Sequence, residues 1–309
     1  MFVTAPKRIA PDVAWYRCGF ANVYLIGRPG DRWVLVDTGP SGRAGEIRAA
    51  AEARFGHDPP AAIVLTHGHP DHVGNAWELA ERWNTPIYAH RLELPYLTGL
   101  SPYPPPDPLT GGFFGIVSVF LSASGIDIRE RLHPLPKELP ALPGWRVIPT
   151  PGHSPGHVSL FRESDGTLLA GDAVATMRTD TLRAILRGKP ELSEGPVAFN
   201  CDWLATAGSV RQLAALRPRV IAAGHGRPMD DPDLAGQFAA FAEQFQPPER
   251  GRYVLEPART DENGIVSLPP PARFAWLRVA WRGLAALAGT AGAAGTVAWL
   301  LTRKKTNSR

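Results

Sequence analysis

Short apolar runs separated by turn residues recur along the chain, at 22–26, 33–36, 63–65 and 87–89. Each is rich in β-branched or aromatic residues and too short for a helix, so each reads as a strand buried on at least one face. Between the second and third runs, residues 43–54 are rich in Ala, Glu and Arg without proline, and predict a helix closing at Gly56. A second helix is expected over 75–83, where Ala76, Leu79, Ala80 and Trp83 share one face at helical spacing. Strands resume at 145–148, 158–161, 167–170 and 220–223, with a helix over 203–216 between the last two. From 92 to 140 the rhythm breaks. Tyr96, Tyr103, Pro104, Pro105, Pro106 and Pro108 precede an apolar run at 113–121, bounded by Gly112 and Gly125 and too short to span a bilayer. This stretch is expected to be an insertion packing over the mouth of a site, because long irregular segments in compact domains are often lids or binding loops. A plain surface excursion is the simpler alternative.

Charge changes the picture only when its distribution is followed. The net charge is +4, yet from Pro271 onward there are seven basic residues and no acid, which leaves −3 for everything before. A body of that sign offers no general phosphate-binding field, so nucleic acid is not expected as a partner. The two cysteines, Cys18 and Cys201, are too few for a disulfide framework and are expected to be buried apolar residues. No apolar stretch follows Lys7 and Arg8 as a secretory signal would require, so a cytoplasmic location is expected.

The chemistry concentrates in Thr66-His67-Gly68-His69-Pro70-Asp71-His72, directly after the run at 63–65. A turn at a strand end can aim four ligand types into one cavity, and imidazole with carboxylate suits zinc. The same context recurs three times. His153 follows the strand at 145–148, Asp172 follows 167–170, and His225 follows 220–223, each beside a glycine. A lone histidine is more often structural, the reading assigned to His57, His90 and His133. Seven such residues in one repeated context point to a metal centre.

These motifs, HxHxDH then PGH, GD and GH, resemble the metallo-β-lactamase superfamily from about Ala14 to Met229. The resemblance implies an α/β fold, a four-layer αββα sandwich with metals at one edge. It implies one ion on His67, His69 and His153, a second on Asp71, His72 and His225, and Asp172 bridging both. Asp37, in the turn Asp37-Thr38-Gly39, would support the site from behind. The implied enzyme is a metallo-hydrolase with two zinc ions per chain, iron or manganese being the alternatives. A metal-bound hydroxide would attack a carbonyl, with Asp71 as the catalytic residue handling its proton. Ser154, beside His153, is not needed as a nucleophile.

The branch is read from departures. A carboxylate at Asp172 argues against true β-lactamase activity. The run Thr150 to His157 is similar to a segment of glyoxalase II, although only Arg250 and Arg252 could stand in for that enzyme's glutathione-binding residues. Lactonases of the superfamily carry a tyrosine after the bridging aspartate, where Ala175 and Thr176 stand here, leaving Tyr103 or Tyr96 as substitutes. A thioester or lactone is therefore the expected small-molecule substrate. A persulfide dioxygenase with one iron, or a phosphodiesterase or nuclease of the same fold, is the alternative.

The catalytic domain is expected over 1–271 and a basic apolar tail over 272–309. Residues 283–302 are uncharged and of near-spanning length, with Ala285, Gly289 and Ala293 in a small-residue row. The expected C-terminal helix would seat the protein on or in a membrane, each nearby Lys or Arg contributing roughly 1 kcal/mol at an anionic leaflet. A chain ending near Pro271 should then remain soluble and active, while the full chain sediments with membranes. Full-length protein staying in the supernatant at low salt without detergent would contradict this.

Overall fold

The computed structural model describes residues 5–118 and 127–270. The chain divides into two units, Met1–Pro269 and Pro270–Arg309. The tail and its expected helix over 283–302 lie outside the described residues, as does part of the apolar run at 113–121. Among the described residues no helix is long and apolar enough to cross a membrane.

Two sheets carry the first unit. The larger has seven strands in sequential order: β1 (Lys7–Ala10), β2 (Val13–Cys18), β3 (Ala21–Ile26), β4 (Val34–Val36), β5 (Ala62–Val64), β6 (Ile87–Ala89) and β7 (Leu132–Pro134). The pairs from β1 to β4 are antiparallel and those from β4 to β7 parallel. The smaller sheet is ordered β11 (Val220–Ala223), β10 (Thr167–Gly171), β9 (Val158–Arg162), β8 (Trp145–Pro149). A separate hairpin, β12 (Arg259–Asp261) and β13 (Gly264–Ser267), follows.

Strand alternation explains the layering. On β3, β4 and β5, Leu25, Leu35 and Ile63 pack with Ile47, Ala51 and Phe55 of the helix Ala44–Phe55 and with Leu79 of the helix Ala76–Trp83. Their neighbours Tyr24, Val36 and Val64 turn the other way, against Leu160, Leu169 and Ala222 of the second sheet. On that sheet's far face Phe161, Leu168 and Ile221 meet Trp203, Val210 and Leu213 of the helix Trp203–Ala215 and Phe238 of the helix Leu234–Gln244. Period two with both faces buried produces the four layers.

The expected helix over 43–54 is found one residue on, and Gly56 caps it in the left-handed region at φ 65°. Both cysteines are free and buried. In the stretch 92–140, the described residues form short helical turns and supply β7, the edge strand of the larger sheet.

Candidate metal centre

The ligand-type residues emerge in the loops that follow strands of both sheets. His67, His69, Asp71 and His72 follow β5, and His153 follows β8. Asp172 follows β10, and His225 follows β11. All seven sequence-derived residues come together. Three groups could each hold an ion, their candidate ligand atoms within 4.8 Å of one another: His67, His69 and His153; His67, His72 and Asp172; Asp71, His72 and His225. Asp172 sits between the groups. Its Oδ2 is 3.2 Å from His225 Nε2 and 3.5 Å from His153 Nε2, and its Oδ1 is 3.5 Å from His72 Nε2. Asp71 Oδ2 lies 3.3 Å from His225 Nε2. The cluster is buried except for Asp71, whose side chain is 23% exposed.

Orphaned atoms show that this donor set fits metal. His67 Nε2, His72 Nε2, His225 Nε2 and Asp172 Oδ1 are buried without a hydrogen bond among the described residues, an arrangement that is costly unless a partner fills it. The opposite ring nitrogens are all engaged. His67 Nδ1 meets Thr66 Oγ1 at 3.1 Å, His72 Nδ1 meets Asp37 Oδ2 at 2.8 Å, His153 Nδ1 meets Asn200 Oδ1 at 3.0 Å, and His225 Nδ1 meets the Phe20 carbonyl at 3.0 Å. Tethering the outer nitrogen fixes both tautomer and ring direction, as ligating histidines require. His69 differs: its Nδ1 faces His153 Nε2 at 2.9 Å, two ring nitrogens converging on one point.

Electrostatics agree. Burial opposes charge on His225, but the carboxylates of Asp172 and Asp71 outweigh it and push its pKa up to about 10. Burial also works against His72, which Asp172, Asp71 and Asp37 nevertheless raise well above the usual range. Conversely, burial and neighbouring histidines hold His67 and His69 far below it. Asp71 and Asp172 are lowered despite burial, by His72 and His225. The rises at His225 and His72 share one cause: Asp71, Asp172 and, for His72, Asp37 favour positive charge at the positions their carboxylates face. A metal cation can supply that charge.

The backbone around the ligands is equally specified. Asp37 adopts φ 60°, a left-handed conformation that aspartate tolerates better than most residues. Its carboxylate is thereby returned to Thr66, accepting from the backbone N–H and the hydroxyl at 2.8 Å each, as well as engaging His72. Gly224 cannot carry a side chain, because a Cβ would lie 2.0 Å from Asp172 Oδ1 and 2.6 Å from His72 Cε1. Asn22 ties the two sheets beside His225, donating to the carbonyls of Ala223 at 2.8 Å and Gly226 at 2.6 Å.

Three supporting residues escape the sequence reading. His157 Nε2 accepts from the backbone N–H of Asp172 at 2.8 Å, so Nδ1 holds the proton and donates to Thr150 Oγ1 at 2.8 Å. Burial, with His153 nearby, lowers its pKa to about 3 and keeps it neutral. Asn200 and Glu93 are the others. Glu93 carries a recognisable signal, since it follows β6 in the same strand-end context as the ligands. Ser154 is buried and donates to Glu93 Oε1 at 2.7 Å. Tyr103 donates to Glu93 and stands beside His69 with ring centroids 4.8 Å apart, and Tyr96 is fully buried against Tyr103. His90 and His133 stay outside the metal groups: His90 accepts from Leu92 N–H, and His133 faces the Tyr88 ring.

The model of the metallo-beta-lactamase superfamily matches residues 16–225. A probable metallo-hydrolase, YflN of Bacillus subtilis (strain 168), is 39% identical over 231 residues, 73% of this chain and 88% of the relative. A second from the same strain, YybB, is 33% identical over 199 residues, 64% of this chain and 78% of the relative. A beta-lactamase domain protein from Burkholderia ambifaria superposes with TM-score 0.56 at 22% identity, covering 79% of this chain and 77% of that one. At that identity the likeness speaks for the fold alone.

Proposed function

This chain belongs to the metallo-beta-lactamase superfamily, and from that premise we propose that it is a hydrolase holding two metal ions, zinc first, that cleaves a thioester, lactone or similar ester. The observation that carries the reading is the set of buried, unpartnered ligand atoms on His67, His72, Asp172 and His225, each on a residue fixed from behind. We assign His67, His69 and His153 to one ion, Asp71, His72 and His225 to the other, and Asp172 to both.

Bound there, such a pair of divalent cations supplies Lewis acidity and lowers the pKa of water from 15.7 towards ~7. The chain's own residues do the rest. Asp71, the one partly exposed carboxylate of the cluster, is placed to accept and orient the proton of the attacking water. Asp37, Thr66, Asn200 and the Phe20 carbonyl hold the imidazoles in register. Phe20 lies parallel to His225 with ring centroids 6.0 Å apart, and Phe199 stands 5.6 Å from His69. Aromatic walls beside both groups favour a neutral carbonyl compound with apolar substituents over a phosphodiester.

The test is a panel of thioesters, lactones and a chromogenic cephalosporin, assayed with zinc-loaded and with chelated protein. Turnover of a thioester or lactone near neutral pH, abolished by chelation and restored by zinc, is expected. Full activity after chelation, with zinc absent by elemental analysis, would sink the reading.

A further inference from the structure

Glu93 closes the single helical turn Arg91–Glu93 and is completely buried. A carboxylate so placed is normally paired with a cation, yet among the described residues no salt bridge reaches it; four neutral donors do. Oε2 accepts from the Gly68 backbone N–H at 2.9 Å and from the Tyr103 hydroxyl. Oε1 accepts from the Ser154 hydroxyl and the Gly156 backbone N–H, each at 2.7 Å.

The location of these donors gives the arrangement its meaning. Gly68 lies between His67 and His69, and Ser154 directly follows His153. One carboxylate therefore grips both loops that supply the three histidines of a single group. The grip is close: a Cβ on Gly68 would sit 2.1 Å from the Tyr103 hydroxyl oxygen. Asp71, His72 and His225 receive no bond from Glu93. Their fixing points are Asp37 and the Phe20 carbonyl.

We propose that Glu93 is a positioning residue for the three-histidine metal site, setting the separation of the two ligand loops through hydrogen bonds rather than by ligation. This rests on the two-ion reading above.

Glu93→Gln keeps the shape but turns an NH2 group toward two donors. Zinc titration calorimetry would follow it in two backgrounds. In His225→Ala, which retains the three-histidine group, Glu93→Gln should weaken the remaining zinc by roughly 10–100-fold, the usual cost of losing an outer partner of a ligand. In His153→Ala, which retains the other group, zinc affinity should stay within a few-fold. Equal weakening in both backgrounds, or in neither, would overturn the proposal. If Glu93→Gln does not fold, Tyr103→Phe removes one of the four donors and must show the same one-sided weakening, or the proposal fails. The wild-type chain separates the two ideas. Uptake of fewer than two zinc ions defeats the two-ion reading, whereas two ions with no one-sided effect defeats only the role of Glu93.

Discussion

Asp172→Ala is expected to empty both halves of the metal centre. Its two oxygens are the carboxylate atoms that approach histidines of both groups: Oδ2 faces His225 and His153, and Oδ1 faces His72. Removing them takes a shared negative charge from between two cations. The turn itself should survive, because its anchor is the backbone N–H of residue 172 on His157 Nε2, not the side chain. Losing a partner behind a ligand costs roughly 10–100-fold in affinity or activity, so losing a ligand to two ions should cost more at each. Elemental analysis after dialysis should find less than one zinc per chain, with activity down by more than about 100-fold. His225→Ala, touching one group, should keep about one ion. Full metal content and turnover in Asp172→Ala would show that the residue does not join the two sites.

Asp71→Asn should separate catalysis from metal binding. Asp71 follows Pro70 in the short helix Pro70–Val73 and is the member of the cluster open to solvent, at 23% side-chain exposure. Asparagine keeps an oxygen that can ligate but cannot take up a proton in the same way. Loss of a positioned acid–base group typically costs 10²–10⁴-fold, so kcat should fall by about that factor while KM and zinc content change little. An effect confined to zinc content, with kcat per bound metal unchanged, would make Asp71 a ligand only.

What could be read from sequence follows from how each feature is encoded. The ligands are legible because His67, His153, Asp172 and His225 each stand shortly after a largely apolar strand, where a polar residue of ligand type beside a glycine stands out. The layers follow from the same runs. Asn200 gives no such signal: it lies in irregular chain, and its value comes from contact with His153, 47 residues away. His157 works through a hydrogen bond to the backbone of another loop, which no local pattern records, whereas Glu93 shows in sequence only its place after β6 and not its partners on other loops. Strands β1 and β2 are masked by Lys7, Arg8 and Arg17 on their exposed positions, and β7 is only three residues long and ends in proline. The helix Leu234–Gln244 does carry a pattern, Leu234, Phe238 and Ala242 at four-residue spacing, and it closes the outer layer of the second sheet.

The measurement that bears most directly on the metal centre is a zinc titration of fully chelated wild-type protein, with bound metal and hydrolysis of the best ester from the panel read on the same samples. Binding that saturates at two zinc per chain, with activity absent at zero and complete only as the second equivalent is taken up, is the predicted result. Saturation at one equivalent with full activity, or hydrolysis by the zinc-free chain, would contradict a two-metal hydrolase.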